Sequence, residues 1–204
     1  MRAARSLLRV LCLLLVPSEA LLAADSPSFE RAGQWVSRDR FEKAVADLQG
    51  LSSVQPSSAE EKILRRAVGK ARAFLSEKHP LQERNAARQV LCLSRAYFQE
   101  ELPGDAEPLR SMGGPQRPEL IGKPAALQVP AAARKAGIQG TVIVEVVVDQ
   151  EGCVRRPRIL KGLPLGIDGA ALAAVRSWTF RPGMLAGRPV AVYYVVTVST
   201  PPRR

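Results

Sequence analysis

The residues able to do chemistry are few. The chain of 204 residues has one histidine and three cysteines, short of the donor set a zinc site gathers from Cys and His. His79 precedes Pro80 at what reads as a helix end, with no Ser or Cys nucleophile beside it. Gly113-Gly114 is not followed by Lys-Ser or Lys-Thr and opens no helix, so it lacks the lysine and hydroxyl of a phosphate loop. Asp149 and Glu151 are two apart. Paired carboxylates can do acid–base work, but these fall on a hairpin turn, where acidic residues commonly serve the backbone conformation. The expectation is a protein that is not an enzyme, with no cofactor and no metal.

Cys12 lies in the apolar N-terminal run, which leaves Cys92 and Cys153. These can pair in an oxidising compartment or stand as separate thiols. Sequence does not place their Cα atoms, and two separate thiols is the preferred reading.

The formal net charge is +11, unevenly spread: residues 120–204 carry +8 and residues 25–119 only +1. Arg155, Arg156, Arg158 and Lys161 form a basic cluster. A solvated basic face is the simplest account, and an anionic lipid or lipopolysaccharide surface the next. With 5% aromatics there is no obvious base-stacking surface, so no nucleic-acid partner is expected. The chain is 46% hydrophobic and 24% charged, which excludes a disordered tail, a coiled coil and a collagen-like chain.

Residues 1–24 place Arg2, Arg5 and Arg9 ahead of the apolar run Val10–Val16, then Pro17 and small residues. That is the layout of a secretory signal, with Ser18-Glu19-Ala20 as one cleavage point. The run is too short and too interrupted for the roughly 20 apolar residues of a bilayer span, so a short uncleaved anchor is the alternative. Residues 102–118, rich in Pro and Gly, read as a linker. It divides a helical unit (25–101) from a second unit (119–204).

The first unit shows apolar residues at helical spacing in four stretches. They are Phe29–Val36, Phe41–Leu48, a helix opening near Ser58 with Ser58 and Glu61 as a capping box, and Leu81–Glu101. His79-Pro80 should close the third. Residues 31–56 loosely resemble a tetratricopeptide unit; a plain small bundle fits as well.

The second unit reads helix–strand–strand–helix–strand, an α+β arrangement with a three-stranded antiparallel sheet. Pro130 suits the first turn of its first helix and Gly137 the end. Thr141–Asp149 alternates Val142, Val144, Val146 and Val148 onto one face. Gly152 allows positive φ in the turn that follows. Cys153–Leu160 returns, with Pro157 forcing a bulge or an edge position. Asp168 should cap a helix running to about Trp178. Pro189–Ser199 gives the last strand: Val190, Val192, Tyr194, Val196 and Val198 on one face, Ala191, Tyr193, Val195 and Thr197 on the other. This strand should lie at a sheet edge, where unpaired backbone groups invite a partner strand. Residues Val190–Val198 are therefore the candidate peptide-binding site.

Four blocks in this unit resemble the TonB C-terminal domain family, in family order and spacing, over about 85 residues. They are Val129-Pro130 through Arg134 to Gly137-Ile138-Gln139-Gly140-Thr141-Val142; Asp149–Val154; Asp168 through Ala170-Ala171-Leu172, Val175-Arg176, Trp178 and Phe180 to Pro182; and Gly187–Val190. Val129 stands where the family usually has Tyr. Pro130, Gly137, Gly140, Gly152, Trp178, Phe180 and Pro182 are expected to be turn and core residues, and Arg176 and Arg181 surface ion pairs.

The resemblance implies a periplasmic module that pairs an edge strand with a segment of an outer-membrane receptor or transporter, in TonB-linked transmembrane transport. It also implies an alternative, an energy transducer held on the periplasmic side of the inner membrane and coupled there to a proton-channel complex. An edge-to-edge homodimer is a further expectation. The helical unit would dock a second partner.

Overall fold

The computed structural model describes residues 26–52, 54–98, 107–110, 114–122 and 126–202. The expected signal segment, residues 1–24, lies outside the described residues, as do residues 102–106 and 111–113 of the expected linker.

Among the described residues, four helices precede the first strand: α1 (Phe29–Ser37), α2 (Phe41–Gly50), α3 (Ser58–Ser76) and α4 (Leu81–Ala96). Each has a local cause. Ser28 caps α1 by accepting from the Arg31 amide, satisfying one of the free N–H groups of the first turn. A capping box opens α3, but it is Ser57 with Glu60, one residue earlier than expected. Ser57 Oγ accepts from the Glu60 amide, and the Glu60 carboxylate accepts from the Ser57 amide. This hydrogen bonding holds Glu60 below the usual carboxylate range. Helix α3 stops at Ser76, before His79, and α4 at Ala96, short of Glu101.

The buried stripes Phe29, Ala32, Val36; Phe41, Ala44, Leu48; Leu64, Ala67, Ala71; and Ala87, Val90, Leu91 meet in one core. Gly33 marks the closest approach: a Cβ there would meet Ile63 Cγ2 at 2.4 Å. Arg31 reaches the buried Asp47 at 2.5 and 2.9 Å, tying α1 to α2.

Beyond α4 come β1 (Leu109–Arg110), β2 (Glu119–Ile121), α5 (Ala131–Lys135), β3 (Thr141–Val148), β4 (Val154–Lys161) and α6 (Ile167–Arg176). They are followed by β5 (Thr179–Arg181), β6 (Gly183–Leu185), β7 (Arg188–Val190) and β8 (Val192–Ser199). The helix–strand–strand–helix–strand order holds, and the class is α+β. The sheet, however, has four strands in the order β1-β8-β3-β4. The central pair β3–β8 is antiparallel from Thr141↔Ser199 to Val148↔Val192. β4 is an edge strand, and its register with β3 shifts between Glu145 and Val147. Arg156 there takes φ 44° beside Pro157, which has no N–H to give the ladder.

Two two-stranded sheets, β2–β5 and β6–β7, complete the unit. The expected last strand is thus two: Val190 ends β7 and pairs with Gly183, and β8 begins after Ala191.

The second core lies between one sheet face and helices α5 and α6. Val142, Val144, Val146 and Val148 are fully buried against Ala133, Ile167, Ala171, Val175, Trp178, Phe180, Val192, Val196 and Val198. Gly166 precedes α6 in left-handed conformation, so Asp168 is not the N-cap. It sits in the first turn, where Oδ1 accepts from the Leu163 amide at 2.7 Å and fixes the approaching loop.

Cys92 and Cys153 are bonded as a disulfide, contrary to the preferred reading of separate thiols. Cys92 comes from the buried face of α4 and Cys153 from the entry to β4, with Cα atoms 5.1 Å apart. That separation lies inside the range a disulfide needs. Cys153 packs within the helical core rather than the sheet core.

Candidate functional site

The candidate site is the outer side of β8. Backbone groups of successive strand residues point to opposite sides. The Leu109 amide donates to the Ala191 carbonyl at 2.9 Å, on the β1 side. At the far end the Thr200 amide donates to Gly140 O at 3.0 Å, on the β3 side. By alternation, Tyr193, Val195 and Thr197 turn their N–H and C=O groups toward the outer edge. Val192, Tyr194, Val196 and Val198 spend theirs on β3.

The nine residues expected to bind peptide therefore divide. Val190 lies in β7 and is excluded from the edge. Ala191 contributes a carbonyl already used by β1. Of the rest, only Tyr193, Val195 and Thr197 turn groups outward; Tyr193 faces β1, and among the described residues no strand pairs with the outer side of β8 beyond it.

The sheet face away from the helices carries Tyr193, Val195, Glu145 and Arg158. Val195 is half exposed. Arg158 binds Glu145 at 2.7 Å, and this hydrogen bond holds the Glu145 carboxyl below the usual range. Arg110 of β1 stacks over the Tyr193 ring at 4.4 Å and reaches Glu145 at 3.5 Å. A two-residue strand beside Pro108 has no periodicity to reveal it, so neither Leu109 nor Arg110 is legible as part of the site.

Pro130 precedes α5 at its N-cap, Gly137 takes φ 67° just after it, and Gly140 takes φ 154° entering β3. Trp178 and Phe180 are buried, and Phe180 meets Tyr194 edge-on at 5.8 Å. Pro182 sits between β5 and β6, half-buried. Arg181 pairs with Glu119 at 2.9 Å across exposed side chains, a contact of small energetic weight.

Gly152 takes φ 88°, and a Cβ there would lie 1.9 Å from the Phe180 carbonyl oxygen. That oxygen's residue also donates its amide to Gly152 O at 2.8 Å. Gly152→Ala should cost about 3 kcal/mol through clash and positive φ. For a chain of this size that is about 6–12 °C in Tm by calorimetry; an unchanged Tm would refute the assignment.

A second cluster joins the two cores. Asp149 is buried in the β3–β4 turn, where Oδ1 accepts from the Glu151 and Cys153 amides, each at 2.9 Å. Its other oxygen faces Arg155 Nε at 3.2 Å and Arg95 Nη1 at 3.5 Å. Glu151 binds Arg72 at 2.6 Å and also Arg95, and its carbonyl accepts from Arg88 at 2.5 Å. Burial is the largest single influence on Glu151 and pushes it up. The Arg72 hydrogen bond and the charges of Arg95, Arg72 and Arg155 outweigh it, so the carboxyl lies below its ordinary range. Burial likewise pulls Arg95 and Arg88 below the usual guanidinium value. The acidic turn serves backbone conformation, as expected, and also fastens the sheet to α3 and α4. Among the described residues, no group of three or more His, Cys, Asp or Glu could hold a metal ion.

The sheet is backed on one face by the two helices α5 and α6. Residues 125–199 match the family described as Gram-negative bacterial TonB protein C-terminal, and they form a TonB C-terminal domain. Within the chain, 88 residues are 36% identical to Protein TonB of Vibrio cholerae serotype O1, covering 40% of this chain and 36% of that protein. The chain thus spans about a third of the length of the curated relative it matches. No helix among the described residues is long and apolar enough to cross a membrane.

Proposed function

We propose that this chain is a TonB-like envelope protein, not an enzyme, whose β8 edge captures an extended segment of an outer-membrane transporter or another envelope protein. The carrying observation is the row of outward backbone groups at Tyr193, Val195 and Thr197 in a TonB C-terminal domain. Main-chain pairing would supply affinity and the side chains of alternate residues selectivity.

A periplasmic place fits the basic and apolar N-terminus and the Cys92–Cys153 bond, since disulfides persist in oxidising compartments. A second reading follows from the TonB resemblance: a transducer anchored by an uncleaved N-terminus and engaging an inner-membrane proton-channel complex. Fractionation with N-terminal sequencing separates the two. A soluble chain beginning near residue 21 or 24 supports the adaptor; an intact start in the inner-membrane fraction supports the transducer.

Val195→Pro removes an outward N–H without touching the β3 ladder. We expect it to leave Tm within a few degrees and weaken capture of extended envelope peptides at least tenfold in a peptide-array binding assay. Val192→Pro, which breaks a ladder bond, should instead unfold the sheet. Unaltered capture by a folded Val195→Pro variant would refute edge pairing. Loss of a sedimenting dimer in the same variant would identify edge-to-edge homodimerisation.

A further inference from the structure

The edge of β8 is not empty where it begins. β1 runs parallel to it with Leu109 opposite Val192 and Arg110 opposite Tyr193. Its main-chain pairing includes the bond from the Leu109 amide to the Ala191 carbonyl and covers only these two residue pairs. Arg110 adds two side-chain contacts, over the Tyr193 ring and against Glu145. Leu109 and Arg110 are both exposed, and the strand ends after two residues. The β3–β8 pairing, by contrast, runs the full eight residues of each strand.

So short a strand, paired over two residues and held by one solvated cation, is a weak occupant. Its advantage is attachment: a tethered segment competes at an effective concentration that reaches the millimolar range for short linkers. The outer-face groups that receive it are not neutral. The Glu145 carboxylate is 13% exposed and already shared with Arg158, and the Tyr193 ring offers the π face that guanidinium groups favour.

We propose that β1 is the chain's own stand-in for a partner strand, and that a partner binds β8 by displacing it and laying a cationic side chain on Tyr193 and Glu145. This rests on the edge-pairing reading above. It adds a direction, parallel to β8, a position, the residue opposite Tyr193, and a chemical preference, Arg or Lys at that position. The chain then carries a built-in threshold: only a segment that outcompetes Leu109–Arg110 gains the edge.

The test uses the full chain and a fluorescein-labelled peptide with the sequence of residues 105–114. Its binding is read by anisotropy against the parent chain and against a Leu109→Pro, Arg110→Ala double variant. Leu109→Pro deletes the fastening N–H, and both positions are exposed, so the fold should persist; circular dichroism and Tm check it. The expected result is binding to the double variant at least tenfold tighter than to the parent. A peptide with glutamate in place of its arginine should lose at least tenfold against the double variant, and so should the original peptide when Glu145→Gln is added.

Equal binding to parent and double variant, abolished by Val195→Pro, would overturn displacement while leaving edge pairing standing. Binding untouched by Val195→Pro would sink both. No binding to the folded double variant overturns the proposal, whereas edge pairing is then judged by the peptide array. Equal affinity for the arginine and glutamate peptides overturns the cation preference.

Discussion

Replacing Cys92 and Cys153 together by alanine is expected to lower stability by about 4 kcal/mol, the chain-entropy value for a closed loop of this size. The two positions are 61 residues apart in sequence. Opening the link frees the denatured chain to separate two segments that the folded protein holds at a Cα distance of 5.1 Å. In Tm this is about 8–16 °C, measured by calorimetry with and without a phosphine reductant. The oxidised parent should show the high Tm, and the reduced parent and the double variant the same low one. A reduced parent that melts with the oxidised parent would refute a structural role for the bond. The effect should be regional. Amide exchange should quicken first in α4 and in the β3–β4 turn, where Cys92 and Cys153 sit, and least in the β3–β8 pair. If the tether positions the helical unit against the domain, its loss should leave edge capture at Val195 intact.

Much of the domain was legible because its signals are local. Val142, Val144, Val146 and Val148 repeat at the strand period, and all four are buried on one face. Gly137, Gly140 and Gly152 mark turns that need positive φ, and each adopts it. Pro157 announces irregularity in a strand, and the register slips beside it. The four helices follow from apolar spacing, though their ends moved. Helix α3 stops at Ser76 because the chain turns extended at Glu77, well before Pro80 forces it.

What stayed hidden is non-local. Cys92 sits on a helix face and Cys153 at a strand entry, and no periodicity within either segment speaks of the other. The short strands β1, β2, β5, β6 and β7 have two or three residues each, too few to establish alternation. The division of the last strand at Ala191 is not legible in a run from Val190 to Val198 that alternates cleanly and holds one weak β-former, Ala191 itself. The fourth strand matters most for the site, since it converts a free edge into an occupied one over its first two positions. Composition alone reads its surroundings as a Pro- and Gly-rich linker. The capping box shows the same limit at small scale: Ser57 and Ser58 offer equivalent i, i+3 partners in Glu60 and Glu61, and only the backbone decides between them.

Asp149→Ala is the second large effect, and it should exceed what a surface turn residue would cost. Four contacts disappear together: two amide hydrogen bonds at 2.9 Å within the turn and two guanidinium contacts at 3.2 and 3.5 Å. Arg95, whose side chain is only 5% exposed, is left with Glu151 alone. Removing one partner of a buried charge pair typically costs about 3–5 kcal/mol, because the remaining charge keeps its desolvation penalty. The loss should be read by denaturant melts at 50 mM and 500 mM salt. Buried pairs are weakly screened, so the difference between parent and variant should persist at high salt; a difference that vanishes there would show a solvated pair instead. Asp149→Asn separates the two roles, since its carbonyl oxygen can still accept from the Glu151 and Cys153 amides while the charge facing Arg95 and Arg155 is gone. It should fall between parent and Asp149→Ala, and a cycle with Arg95→Met should show the two sites non-additive. Acid should act on the same junction through Glu151. Its folded-state carboxyl lies below its ordinary value, so its stabilisation is present above that value and fades as pH falls through the folded one. A Glu151→Gln variant should therefore lose stability relative to the parent at neutral pH and converge with it in acid; parallel pH profiles would show that the Arg72 and Arg95 contacts do not set the charge of Glu151.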